Sequence, residues 1–179
     1  MAMVRPFVFQ VAGYQNSGKT TLVEALIRLL KEAGVAVASI KHHGHGGKPD
    51  IAAGKDSSRH IAAGASASIV EGGGRLVLHS ERESWQLEEQ VKILAAFNPD
   101  VILIEGHKNA TYPKIVLLRS GEDEKSLRKL KNIIAAAYWD TKPTAMADYP
   151  YYPILDKQTP DLLAKLILKK IECQTPQKN

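Results

Sequence analysis

Residues 13–20 read "GYQNSGKT", a full match to G-x-x-x-x-G-K-[ST]. Its flanks decide what the match means. Before it, "PFVFQVA" (Pro6 to Ala12) is a short apolar run of the kind that forms a buried parallel strand. After it, Leu22, Val23, Leu26, Ile27, Leu29, Leu30 and Ala33 recur at three-to-four spacing, which predicts a helix over Thr20 to Ala33 with Gly34 as its stop. A strand, a glycine loop and a helix in that order make a preformed anion site: Gly13 and Gly18 let successive N–H groups turn inward, and the helix N-terminus adds its positive end. Lys19 is then placed to reach the β- and γ-phosphates of a nucleoside triphosphate and Thr20 to coordinate Mg²⁺, with Asn16, Ser17 and Thr21 completing the cradle.

Outward from that loop, strands and helices alternate. "VAVASI" (Val35 to Ile40), "DVILIEG" (Asp100 to Gly106), "KIVLLR" (Lys114 to Arg119) and "NIIAAAYW" (Asn132 to Trp139) read as further strands. Ser84 is a candidate cap for a helix with Leu87, Val91, Leu94 and Ala95 on its face, ended by Asn98-Pro99. The run "EKSLRKLK" (Glu124 to Lys131) predicts a short basic helix, and Thr159-Pro160 predicts a cap and first position for a last helix, Asp161 to Cys173. "ASIVEGGGRLVLHSE" (Ala67 to Glu81) differs in kind, two short strands around three glycines, hence an inserted β-hairpin over about residues 66–82. The expectation is an α/β chain: one three-layer P-loop NTPase domain over 1–173, with a mostly parallel sheet covered on both faces and a disordered tail at 174–179.

A P-loop needs an acid at the end of a neighbouring apolar strand to help hold its metal, and Glu105 ends the most apolar run of the chain. Lys19, Asp56 and Glu105 are therefore the candidate catalytic residues, and Thr20 and Glu105 the candidate metal ligands.

With 179 residues, 44% of them hydrophobic, the chain can bury one core. No run approaches the roughly 18 apolar residues of a membrane span, so no membrane partner is expected. The lone cysteine, Cys173, excludes an internal disulfide framework and agrees with a cytoplasmic, reducing setting. A net charge of +5 attracts anions of many kinds, but the basic run lacks interleaved aromatic residues, which argues against nucleic acid as a partner.

The segment Ile40 to Gly64 carries four histidines and three lysines. The H-x-x-H spacing of His42 and His45 raises a metal site, with His43 or His60 as further ligands, but structural zinc commonly draws on thiolates and Cys173 is far away in sequence. Ligands of open α/β sheets bind at the carboxyl ends of strands, and this segment leaves the second strand at that end. Lys41, Lys55 and Arg59 are thus candidate phosphate donors, and Asp56 either orients water and metal or caps the short helix at Asp56 to Ala63. The Gly and Ala content reads as a switch-like loop.

The loop "GYQNSGKTTL", the segment with Lys41-His42, His45, Asp50, then Gly54-Lys55-Asp56-Ser57 and Arg59, and the strand "DVILIEGHK" occur together in this order and spacing. Together they resemble MobB, the molybdopterin-guanine dinucleotide biosynthesis protein B family, over Val8 to about Lys108. The resemblance implies a Mg²⁺-dependent GTP-binding homodimer with weak GTPase activity, an accessory factor in molybdenum cofactor biosynthesis. Its implied partners are the molybdenum-cofactor nucleotidyltransferase and cofactor-insertion proteins. It also implies phosphate-binding roles at Gly13, Ser17, Gly18, Lys19 and Thr20, an acidic role at Glu105, and a basic and histidine loop at Lys41, His42, His45, Asp50, Lys55, Asp56, Ser57 and Arg59. His107 departs from the family pattern, where an aromatic residue is expected. Guanine itself has no separate signature: "WDTKPT" offers Thr141-Lys142 but Thr144 where N/T-K-x-D needs an acid. Rival classes on the same residues are a small-molecule kinase, a metallochaperone GTPase using His42, His43 and His45, and a nucleic-acid-stimulated ATPase.

Overall fold

The computed structural model describes residues 6–43, 47, 56–127, 129–140, 142–143 and 148–174. Among these described residues thirteen elements follow one another: β1 Phe7–Gly13, α1 Lys19–Glu32, β2 Val37–Lys41, α2 Asp56–Ala62, β3 Ala67–Gly72, β4 Arg75–Ser80, α3 Leu87–Ala95, β5 Val101–Glu105, β6 Lys114–Leu118, α4 Gly121–Leu127, β7 Ile133–Tyr138, β8 Tyr151–Pro153 and α5 Thr159–Gln174. The chain divides into two compact units, one of residues 1–44 and 91–179, the other of residues 45–90.

In the first unit six strands form one sheet in the order β2-β5-β1-β6-β7-β8, and every pairing is parallel. β5 and β6 are buried at every residue, which is why their sequences read as unbroken apolar runs rather than alternating ones. Their two faces serve different layers. Phe9, Val11, Leu103, Ile115 and Leu117 pack with Leu22, Leu26 and Leu30 of α1 and Leu163 and Ile167 of α5. Ala12, Val116, Leu118 and Ala136, one residue out of step, pack with Leu127 of α4. The period of two along each strand thus sorts side chains between two helical layers.

The second unit holds α2 and the hairpin. Among the described residues β3 and β4 pair only with each other, with Gly72 opposite Arg75 and Gly73-Gly74 as the two-residue turn. Both turn residues have positive φ, 57° and 77°, the type I′ condition that glycine meets without strain. α2 lies against both strands.

Four local readings are corrected. α4 spans Gly121–Leu127 rather than the basic run, because Ser120 Oγ accepts the Asp123 N–H while Asp123 accepts the Arg119 N–H, a pair of bonds that starts the helix early. Lys129 to Lys131 fall beyond it. Gln86, not Ser84, is the residue just before α3, and the Glu89 side chain three residues on accepts its N–H. Thr159 does not cap α5 with its hydroxyl, which donates to the Pro153 carbonyl, and helical bonding already begins with Leu162 N–H on Gln158 O. The edge strand β8 was not foreseen, being three residues with a proline at its end. Among the described residues no helix is long and apolar enough to cross a membrane. Residues 175–179 of the expected tail lie outside the description.

Candidate functional site

Gly13 ends β1 and Gly18 is the N-cap of α1, and the loop between them is shaped by two positive φ angles, 58° at Asn16 and 86° at Gly18. Asn tolerates that region better than most residues and glycine best. Gly13 is needed for space instead. A Cβ there would stand 2.7 Å from Ser17 Oγ and 3.2 Å from Leu117. Ser17 itself is fully buried, and its Oγ has no hydrogen-bond partner within the described protein.

Lys19 folds back so that Nζ donates to the Tyr14 carbonyl at 2.6 Å. Burial holds its ammonium below the ordinary lysine value; Glu105 pulls it upward, and Arg119 and Lys41 push it further down. Lys19, Lys41 and Arg119 thus share this end of the sheet with two buried carboxylates, Glu105 beside Lys41 and Asp123 paired with Arg119, which leaves one positive charge in excess for an anionic ligand to relieve.

The parallel register sets Lys41 opposite Glu105 at the ends of β2 and β5. Thr20 Oγ1 donates to Glu105 Oε1 at 2.8 Å, and Lys41 Nζ donates to Thr20 Oγ1 at 3.1 Å and pairs with Glu105 Oε1 at 3.3 Å. Strand ends 64 residues apart in sequence, Lys41 and Glu105, therefore meet the first turn of α1.

Phosphate and its divalent cation fit these residues on three counts. Gly18 at the N-cap has no side chain to bond the first-turn N–H groups, which leaves them to an anion. Thr20 Oγ1 and Glu105 Oε1 are hard oxygen donors of the type Mg²⁺ takes. The Lys41 ammonium already bridges those oxygens, a positive charge where the metal's charge would lie.

Thr21 follows on α1, and His42 leaves β2 with its N–H on the Glu105 carbonyl. Its ring stands 4.6 Å from that of His107, tilted by 50°. The departure at His107 is thus still a ring contact. Gly106 at φ 95° makes the turn between β5 and His107, and a Cβ on it would come within 3.2 Å of His42 Cβ. Gln10, buried in β1, donates to the Gly106 and His107 carbonyls and fixes that turn. Lys114, buried in β6, clamps the far end of the same loop by donating to the Ala110 and Lys131 carbonyls, and burial lowers its pKa.

Asp56, Ser57 and Arg59 lie on α2 in the second unit, and His45, Asp50 and Lys55 lie outside the described residues. Among the described residues, no group of three or more His, Cys, Asp or Glu could hold a metal ion.

Two residues were missed. Arg119 follows β6, next to β1, with Nε 3.3 Å from Asp123 Oδ2, and it bears on the charge of Lys19. The strand-end rule that picked out Lys41 would have found it. Trp139 follows β7; its Nε1–H donates to the Ser17 carbonyl at 3.0 Å and its ring lies 3.2 Å from where a Cβ of Gly18 would be. That bond joins residues 122 apart, so no local signal announces it.

Residues 8–139 match the family "Molybdopterin guanine dinucleotide synthesis protein B". The chain is 43% identical over 162 residues to the probable molybdopterin-guanine dinucleotide biosynthesis adapter protein of Bacillus subtilis (strain 168), covering 89% of this chain and 91% of that protein. Its fold matches the crystal structure of Bacillus subtilis MobB with a TM-score of 0.76 at 36% identity, covering 96% and 99% of the two chains. It matches a MobB homologue from Bacillus stearothermophilus with a TM-score of 0.73 at 32% identity, covering 93% and 98%. The matched span runs from β1 to Trp139 and contains the whole Lys19, Thr20, Lys41 and Glu105 cluster. The chain belongs to the molybdopterin guanine dinucleotide synthesis protein B family.

Proposed function

We propose that this chain is an adapter in molybdopterin guanine dinucleotide biosynthesis that binds GTP with Mg²⁺, hydrolyses it weakly, and works as a homodimer with the cofactor's nucleotidyltransferase and insertion proteins. The adapter role follows the names of its relatives. The observation that carries nucleotide binding is the meeting of Lys19, Thr20 and Glu105 at an α1 N-terminus with no side-chain cap. Lys19 and the first-turn N–H groups hold phosphate oxygens, and Thr20 and Glu105 hold the cation, which neutralises phosphate charge when bound. Guanine is favoured by the guanine dinucleotide in the relatives' names.

A competition panel against a fluorescent guanosine triphosphate tests the reading. GTP and GDP should displace the probe, with ATP at least tenfold weaker. Equal displacement by ATP removes guanine specificity, and displacement by none of them removes the nucleotide site. Glu105→Gln should raise the Mg²⁺ needed for half-maximal binding by about tenfold while changing binding in excess chelator far less, since it loses a charged oxygen donor for the cation. Equal losses with and without Mg²⁺ would assign Glu105 to packing instead.

The homodimer is supported by the hairpin. In its antiparallel register Ile69 faces Leu78 on one side and Val70 faces Val77 on the other, so both faces carry apolar pairs. Ile69 is 61% exposed and Val77 51%. An isolated two-stranded ribbon is marginal in water, and a self-complementary two-fold contact covers such a surface. In sedimentation the wild type should run at twice 19.6 kDa and a folded Val77→Glu variant at half of that. A folded wild-type monomer at high micromolar concentration removes the dimer.

A further inference from the structure

The divalent cation of the proposed nucleotide site has a rival inside the chain. Lys41 Nζ lies 3.1 Å from Thr20 Oγ1 and 3.3 Å from Glu105 Oε1, and those two oxygens are themselves 2.8 Å apart. The three groups close a triangle in which the ammonium occupies the oxygens assigned to the metal. Placement is built into the sheet: Lys41 and Glu105 are register partners at the ends of adjacent parallel strands, and the His42 N–H on the Glu105 carbonyl carries the ladder one step beyond them.

We propose that Lys41 competes with the divalent cation for Thr20 Oγ1 and Glu105 Oε1, and so sets how much Mg²⁺ the nucleotide site requires; this rests on the Mg²⁺-nucleotide reading above. Mg²⁺ takes its ligands at about 2.1 Å in near-octahedral order and sheds water reluctantly. An ammonium donating to the same hydroxyl and paired with the same carboxylate engages the lone pairs the metal needs, and its charge repels the dication. Glu105 cannot simply stand alone, because its side chain is only 10% exposed and a buried carboxylate needs a cation. Lys41, by contrast, has a side chain 61% exposed and a flexible four-carbon stem, so it can leave toward water when metal arrives. One cation hands the carboxylate to the other. The exchange couples metal loading to release of a lysine at the tip of β2, where the chain enters the histidine segment.

Lys41→Met and Lys41→Arg in the full chain test this, the first keeping the stem without the charge, the second keeping the charge. Mn²⁺ binding without nucleotide, followed by electron paramagnetic resonance, reads metal affinity directly. Half-maximal Mg²⁺ for binding a fluorescent GDP reads it with nucleotide present but with no γ-phosphate for a displaced lysine to contact. Lys41→Met should need about tenfold less metal in both, Lys41→Arg, which keeps the competing charge, should need no less than wild type, and Lys41→Met should melt at a lower temperature than wild type in chelator but not in Mg²⁺. A simple loss of structure would weaken metal binding, the opposite sign. If wild type binds nucleotide with Mg²⁺ and Lys41→Met needs as much metal or more, the competition is wrong and the nucleotide site stands. If wild type binds neither nucleotide nor Mn²⁺, the nucleotide reading fails and the competition falls with it.

Discussion

Lys19→Ala will lower triphosphate affinity by about 30- to 1,000-fold, the equivalent of about 2–4 kcal/mol for losing a charge-assisted bond to bridging and terminal phosphate oxygens. Lys19 is prepared for that contact. Its Nζ is already held at 2.6 Å from the Tyr14 carbonyl, so little side-chain freedom remains to be lost on binding. Its ammonium is partly desolvated and pressed by Arg119 and Lys41, so an anion brings relief. The fold should survive, because Lys19 is the first residue of α1 and alanine is the best helix former. Titration calorimetry with GTP and Mg²⁺, beside a thermal melt, separates the two effects. Wild-type affinity in a folded Lys19→Ala protein would remove the P-loop role. Lys19→Arg should not rescue it, since a broad fork does not fit where a point charge is cradled.

Gly13→Ala will destabilise the chain by about 1–3 kcal/mol and abolish measurable nucleotide binding together. The new methyl would lie 2.7 Å from Ser17 Oγ and 3.2 Å from both Leu117 Cβ and the Leu117 carbonyl oxygen. Neither neighbour can yield easily: Ser17 is fully buried, and Leu117 is the register partner of Gly13 in the middle of the sheet. The glycine loop must move instead, carrying Gly18 and the α1 N-terminus out of place. A urea melt and a binding titration read the two losses, and a wild-type midpoint would show that the loop yields freely. Adding Ser17→Ala removes the closest atom and should recover part of the stability, while the Leu117 contact keeps the rest. Gly74→Ala is the informative contrast, since nothing lies within 4 Å of its Cβ position and only its φ of 77° opposes the change, at about 1 kcal/mol.

Different physics governed what could be foreseen at each of these places. The loop at Gly13 to Thr20 is legible because its signal is contiguous: strand, glycines, lysine and helix all lie within one short stretch. Glu105 was legible because β5 is buried on both faces, so its apolar run is unbroken and its end is sharp. The start of α4 was misread because Ser120 accepting the Asp123 N–H, with Asp123 accepting the Arg119 N–H, outweighed a longer run of helix-forming basic residues. β8 carried too few residues for any period to show.

By itself the sequence determined the alternation of strands and helices, the glycine hairpin, the glycine loop at Gly13 to Thr20 and the acid at the end of β5, all of which rest on spacing within a few residues. Only the tertiary structure decided which strand ends stand side by side. The order β2-β5-β1-β6-β7-β8 brings Lys41 and Glu105 to Thr20, Arg119 into the field of Lys19, and the Trp139 indole onto the Ser17 carbonyl. Hydrogen bonds and Coulomb forces act over a few ångströms of space whatever the separation along the chain, and parallel strands reach their neighbours only through crossovers of a dozen residues or more. Residues 85 and 122 apart in sequence thus became partners without any local pattern recording it.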